Sequence, residues 1–166
     1  MASFLSTPLI SAEDAIANSA GFRIWCGASS VADAKANYIF SDDVREESEL
    51  PARYAAMTEM EGWSYGRLAE GAGRGSFRFT GGQFHIVFSQ EVGTAVTDYT
   101  ATNRIAFKDS IAGFISDFMD NFEGAGQRIT DITKIPFSDT FPFRGEATDG
   151  GTYIYQYGVT VNTGIY

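Results

Sequence analysis

The apolar residues between positions 100 and 122 recur at the spacing of an α-helix. The last six of them are separated by three, one, three, one and three positions, and acidic and amide side chains occupy the other faces. Gly124 and Gly126 follow this stripe and favour a helix end. We therefore predict a long amphipathic helix, over about 100–122, whose apolar stripe packs on a sheet. The stripe consists of Ile111, Phe114, Ile115, Phe118, Met119 and Phe122.

Two short helices are predicted near the N-terminus. Ser11 and Ser30 stand where a helix cap is needed, and acids follow each of them within three residues, where the helix dipole favours negative charge. The two helices cover residues 11–18 and 31–37, with an apolar segment, 22–26, between them.

Much of the remaining chain alternates between apolar and polar residues, which is typical of β-strands. Glycine-rich segments at 71–75 and 81–82 predict tight turns, so we expect antiparallel pairing. The order of helices, strands, a helix and strands indicates an α+β fold, with the long helix and the two N-terminal helices packed on an antiparallel β-sheet. No linker divides the chain, and we predict one domain over 1–166. The predicted strands are 53–61, 64–70, 76–80, 83–91, 129–135 and 152–162.

Composition and charge narrow the class of function. The chain has 166 residues, a formal net charge of −9 and no Lys/Arg cluster, which argues against a surface that grips a phosphate backbone. No segment approaches the roughly 18 apolar residues of a membrane span. Residues 1–5 lack the positive start of a signal peptide. We therefore expect no membrane partner and a protein that is made, and stays, in the cytoplasm.

The sequence predicts no catalytic, metal-binding or cofactor-binding residue. Cys26, the single cysteine, lies in an apolar run that predicts a buried, unreactive thiol. His85, the single histidine, is predicted to face solvent from a strand. The acidic run 41–50 lacks the glycine and ligand spacing of a calcium loop, which indicates a solvated loop. The glycines of 71–75 precede a strand rather than a helix, which favours a hairpin turn over a nucleotide-binding loop. We expect neither an enzyme nor a cofactor.

Three arginines, Arg67, Arg74 and Arg78, are grouped around the predicted hairpin. Two interpretations are equally favoured. The arginines grip an acidic neighbouring subunit, or they are ordinary solubilising charges on a sheet.

Several stretches form a recognisable series when they are taken in order. The first is FRIWCGA, at 22–28, between the two short helices; the second is PARYAAMTEMEGW, at 51–63, leading into 67–71. The long helix to Phe122 follows, and then 129–135, Arg144 and a closing aromatic strand. This series resembles the tail terminator (tail completion) proteins of long-tailed bacteriophages. The likeness lies in the pattern of elements over most of the chain, not in a sharp motif.

The resemblance implies an α+β subunit that forms a ring with copies of itself, usually six. Such a ring caps the finished tail tube, stops its polymerisation and presents a surface to the head-side neck or connector protein. DNA passes through the hole only as cargo, and an acidic lumen would repel its phosphates. The implied partners are other copies of the chain, the tail tube protein and the connector protein. The implied location is the tail or neck of the virion, after assembly in the host cytoplasm.

A closed ring joins one surface of each subunit to a different surface of the next. The hairpin region 63–82 carries the arginines and the loop 41–50 is acidic, so we hypothesise that they meet across subunits. The candidate interface residues are Trp63, Arg67, Arg74 and Arg78 on the hairpin and Asp42, Asp43, Glu46 and Glu47 on the loop.

Two alternatives remain open at this stage. One is a tail tube subunit, which would form long polymers, or another neck subunit of the same assembly. The other belongs to a different class: a small-ligand-binding or enzymatic α+β domain, with a pocket lined by Phe and Tyr under the helix.

Overall fold

The structure, a computed structural model, describes residues 6–41, 50–59, 64–67, 77–93, 100–135 and 153–164. These ranges contain four helices and six strands. The helices are α1 (Ser6–Asn18), α2 (Ala20–Cys26), α3 (Val31–Asn37) and α4 (Ala101–Gly124). The strands are β1 (Ile39–Ser41), β2 (Arg53–Glu59), β3 (Ser64–Arg67), β4 (Phe77–Gly93), β5 (Arg128–Lys134) and β6 (Tyr153–Gly164).

Capping residues set the ends of the helices. Ser19, Ser30 and Thr100 each accept a hydrogen bond from the amide three residues ahead, at the starts of α2, α3 and α4. α2 ends at Gly27, whose φ of +87° is the left-handed conformation that favours glycine. Ser11, which we expected to cap the first helix, lies inside α1 instead, because that helix begins at Ser6.

The described strands form one six-stranded sheet in the order β1-β2-β4-β6-β5, with β3 paired to β4 outside this path. β1 runs parallel to β2, and the other pairings are antiparallel. β4 has 17 residues, so it pairs with β3 along its first part and with β2 along its second, while β6 lies on its other side. The predicted α+β class, with a long helix on an antiparallel sheet, is confirmed.

Two local predictions are wrong: in one, strand pairing overrides a local turn signal, and in the other, a local helix cap went unrecognised. Gly81 and Gly82 do not form a turn; they continue β4, where they pair with Gly164 and Thr163 of β6. The apolar segment between the predicted N-terminal helices is itself a helix, α2, capped by Ser19. Three short helices therefore precede the sheet where two were expected.

The core lies between the helices and one face of the sheet. α1 packs along α4, α2 contacts β2 and α4, and α4 crosses β5 and β6, so the described helices share one side. The stripe of α4 meets the sheet through phenylalanines: Phe84 lies 6.3 Å from Phe118 and 6.0 Å from Phe122, measured between ring centroids. These are edge and tilted contacts of the kind that aromatic pairs prefer. None of the described helices is both long and apolar enough to cross a membrane.

Candidate functional site

Most of the predicted interface residues lie outside the residues that the structure describes. Six of them, on the acidic loop and the hairpin, lie outside the described residues: Asp42, Asp43, Glu46, Glu47, Trp63 and Arg74. Arg67 and Arg78 belong to β3 and β4, where the register pairs Arg67 with Phe77 and Gly66 with Arg78. Their backbones therefore occupy neighbouring positions of one ladder, and their side chains lie outside what the structure describes. The proposed contact between hairpin and loop remains a prediction.

The reactive residue types are scattered in the described part of the chain. No group of three or more His, Cys, Asp or Glu side chains in that part could hold a metal ion. Cys26 is half-buried, and burial raises the pKa of its thiol, which favours the protonated, weakly nucleophilic form. His85 is half-buried on the sheet face that points away from the helices, and burial lowers its pKa, so the imidazole is neutral at pH 7.

An aromatic cleft lies at one end of the helix–sheet interface, with a volume of about 530 Å³. Its walls include the rings of Trp25, Phe107 and Tyr155, and its size falls in the range of small-molecule sites. The polar groups around it bond to the protein itself: Trp25 Nε1 donates to Gln90 Oε1 over 3.0 Å, and Arg53 Nη1 donates to the Trp25 carbonyl over 2.8 Å. The cleft thus offers aromatic surface on which a planar ligand could stack. The polar groups of Trp25 and Arg53, however, are used in bonds within the protein and do not point to the centre of the cleft.

A second cavity is a groove between α4 and β5, with a volume of about 550 Å³. We call it the α4–β5 groove. Ile115 and Met119 form its helical wall, and Ile129, Ile132 and Tyr157 form much of its floor on the sheet. Met119 is 39% exposed, which is high for a large apolar side chain.

An exposed isoleucine lies elsewhere on the helical layer. Ile24, in the middle of α2, is 81% exposed, more than any other large apolar residue that the structure describes. Its neighbours Phe22 and Trp25 turn inward and contact each other, with ring centroids 5.8 Å apart. The helical phase of α2 therefore places Ile24 outward.

The sheet face opposite the helices carries no charged side chain along the middle of its three central strands, and the exposed Glu91 of β4, paired with Ile154, lies at one end of this stretch. His85 of β4 pairs in register with Thr58 of β2 and with Thr160 of β6, so the three side chains share that face. We call this surface the uncharged sheet face. Its residues are Tyr54, Ala56 and Thr58 of β2, Gln83, His85, Val87 and Ser89 of β4, and Gln156, Gly158, Thr160 and Asn162 of β6.

The sequence analysis did not predict the α4–β5 groove, the exposed Ile24 or the uncharged sheet face. The alternation of Arg53–Glu59 and Gln83–Glu91 could have indicated the uncharged sheet face, because it shows which residues share a side. Ile24 could have been found only by reading 20–26 as a helix from its cap and its C-terminal glycine. The groove gives no local signal, since its two walls come from distant parts of the chain.

Comparison with known proteins gives no match to a family model, to a curated protein or to a solved structure.

Proposed function

We propose that this chain is a structural subunit of a bacteriophage tail or neck, of the tail terminator type. Copies of it form a ring that caps the tail tube and joins it to the head-side connector. The proposal comes from the order of elements along the sequence, and it is supported by a fold of the kind that this order implied. It involves no chemical reaction, so the surfaces of the subunit carry the function.

The observation that carries the proposal is the uncharged sheet face. The chain has a net charge of −9 and one residue in five is charged, yet eleven neighbouring residues of three strands present no charge on this face, which is bounded at one end by Glu91. Interface cores are depleted of charged residues, because covering a charge costs its hydration. No described helix packs on this side of the sheet. We infer that another subunit of the assembly covers the exposed part of this face, which includes Thr58 and Gln83.

The direct test is the mass and shape of the purified full-length protein. Light scattering should give a discrete multiple of 18.0 kDa, and negative-stain microscopy should show closed rings, which bind the ends of tail tubes formed by a co-expressed tube protein. A monomer that ignores tail tubes would overturn the proposal. Long filaments would instead favour the tail tube subunit.

A pair of variants connects this test to the uncharged sheet face. Thr160→Lys places a charge at the centre of the face and should reduce the yield of capped tubes. Ser116→Lys places the same charge on the exposed side of α4 and should leave the yield unchanged. Equal yields from both variants would show that the uncharged sheet face has no part in assembly.

One observation favours a second candidate function, binding of a small planar ligand. The cleft beside Trp25 combines aromatic walls with a volume suited to such a ligand. A thermal-shift screen of metabolites tests this directly, with Trp25→Leu as the variant that should lose any hit. A screen without hits leaves the structural role as the sole proposal.

A further inference from the structure

The aromatic cleft beside Trp25 has a rigid floor. Phe107 and Tyr155 are 4% and 3% exposed, and their rings stack with centroids 5.6 Å apart. The hydroxyl of Tyr155 donates to the carbonyl of Thr100 over 3.1 Å, and the Trp25 ring lies 6.3 Å from that of Phe107. A planar ligand therefore meets rings that are already in place, which lowers the entropy cost of binding.

The side-chain amide of Gln90 is held in one orientation at the wall of this cleft. The indole Nε1–H of Trp25 can only donate, so the amide atom 3.0 Å away from it is the oxygen, Oε1. The amide nitrogen, Nε2, has no hydrogen-bond partner among the residues that the structure describes. In the same part of the chain, the one side-chain atom that is buried without a partner is Arg104 Nε, so Gln90 Nε2 is open to solvent.

The charged residues that line the cleft do not compete with this amide for a ligand. Arg53 donates to the carbonyl of Trp25 and lies over the indole, with its Cζ 6.0 Å from the ring centroid. Glu91 follows Gln90 in β4, and strand alternation places its side chain on the opposite face of the sheet. The charge of the arginine is therefore used within the protein, and that of the glutamate lies outside the cleft.

Two polar side chains of α4 complete the lining. Ser110 Oγ donates to the carbonyl of Ala106 over 3.0 Å. Asn103 carries an amide that can both donate and accept, so it sets no preference between ligand groups. Gln90 Nε2 is thus the group that distinguishes one kind of ligand from another.

We infer that the cleft binds a planar aromatic ligand that carries a carbonyl oxygen, and that Gln90 Nε2 donates to this oxygen. The amide offers two hydrogens, while its own oxygen already accepts from Trp25. A ligand acceptor therefore gains a hydrogen bond at this wall, and a ligand donor gains none. This inference rests on the second candidate function, ligand binding in the cleft, and names the class of ligand and the residue that selects it.

Three soluble probes of similar size separate these features. Acetophenone carries a carbonyl, benzylammonium carries only donors, and toluene carries neither. The full-length protein is titrated with each probe by NMR, and the indole Nε1–H signal of Trp25 is followed because that group bonds to Gln90. The chain has two tryptophans, and Trp25→Leu assigns the signal. Acetophenone should bind about tenfold more tightly than either other probe, because one additional hydrogen bond changes an affinity by about that factor.

Gln90→Glu tests the amide nitrogen alone. Glutamate keeps an oxygen for the Trp25 Nε1–H and replaces Nε2 with a second oxygen, which cannot donate. Acetophenone should then lose its advantage over toluene, and benzylammonium should become the tightest of the three. The matched control, Gln83→Glu, adds the same charge to the other face of β4 and should leave all three affinities unchanged.

The outcomes separate this inference from the candidate function on which it rests. Equal affinities of the parent protein for acetophenone and toluene would overturn the inference and leave the cleft as a ligand site. An unchanged preference in Gln90→Glu, or an equal change in Gln83→Glu, would overturn the role of Gln90. If none of the three probes binds at millimolar concentration, both the inference and the ligand-binding candidate are wrong.

Discussion

The two sides of α4 differ in chemistry, although they belong to one helix. On the side that faces α1, Ser19 Oγ donates to Asp117 Oδ2 over 2.5 Å, and Asn121 Nδ2 donates to the carbonyl of Ala15 over 3.1 Å. On the side that faces β5, Ile115 and Met119 border the α4–β5 groove. We call them the bonded side and the open side.

This difference separates the two tasks of the helix. Hydrogen bonds are directional, so the bonded side fixes one arrangement of α1 against α4. Apolar contact is not directional, so the open side can accept a partner without losing bonds inside the subunit. Between the two sides runs the phenylalanine stripe, which supplies the burial that holds the domain together. Stability should therefore depend mainly on the stripe and the bonded side, and little on the open side.

The sharpest test compares two adjacent residues, Phe118 and Met119. Phe118 is 1% exposed and stacks on Phe122 with ring centroids 5.1 Å apart, so Phe118→Ala should lower the free energy of unfolding by about 3–5 kcal/mol. Met119→Ala should lower it by less than about 1 kcal/mol, because the side chain is already partly in water. Urea denaturation at protein concentrations where light scattering shows a monomer measures both without a contribution from assembly. If both substitutions destabilise the monomer equally, the distinction between the stripe and the open side is wrong.

The bonded side is tested by a double-mutant cycle between Asp117 and Ser19. Each alanine substitution breaks a hydrogen bond to a carboxylate and should cost about 1.5–3 kcal/mol. Ser19→Ala also removes the cap of α2, so it should be the larger of the two. The coupling free energy between the two substitutions should be about 0.5–3 kcal/mol, since the two residues share one bond.

Asp120→Ala, at an exposed neighbouring position, is the matched control and should fall within about 0.5 kcal/mol of the parent. Strict additivity would show that the bond contributes nothing.

The long helix could be predicted from the sequence because its signal is local. An apolar stripe repeated over several turns determines both the element and its buried face, as Phe114, Phe118 and Phe122 show. The capped start of α3 is similarly local, since Ser30 bonds to an amide three residues away. These features need no knowledge of the rest of the chain.

Glycine was the least reliable signal, because its meaning depends on what lies nearby. Gly81 and Gly82 form part of a strand ladder, and Gly158 permits a close approach: a Cβ there would lie 2.8 Å from Ile135 Cδ1. From the sequence alone, a glycine in a turn, a glycine in a strand and a glycine at a close contact cannot be told apart.

The candidate surfaces escaped prediction for a related reason. Ile24 belongs to a five-residue apolar run, and only the cap at Ser19 decides that it points outward. The α4–β5 groove forms where residues near 119 meet residues near 130 and 158, which the sheet pairing brings together. The predicted hairpin and loop residues were chosen by charge, and the structure leaves their side chains undescribed.

The smallest expected effect concerns an ion pair beyond the bonded side, between α3 and α1. Lys35 Nζ lies 2.5 Å from Asp14 Oδ1, and the hydrogen bond to that carboxylate raises the pKa of Lys35 above 10.5. A raised lysine pKa means that the folded protein holds the proton more tightly than the unfolded chain. The pair therefore stabilises the fold below pH 10.5, and this contribution is lost as the pH rises through the folded pKa. Both side chains are partly exposed, at 32% and 47%, so the contribution should not exceed about 1 kcal/mol.

The measurement is the difference in unfolding free energy between the parent and Lys35→Gln, taken at neutral pH and again above pH 10.5. The difference should shrink at high pH, and added salt should shrink it at neutral pH, because exposed charges are screened. Asp14→Asn should reproduce the loss, since it removes the other half of the pair. A difference that persists at high pH would mean that the lysine acts through packing of its hydrocarbon stem. The position of α3 against α1 would then depend on buried contact rather than on charge.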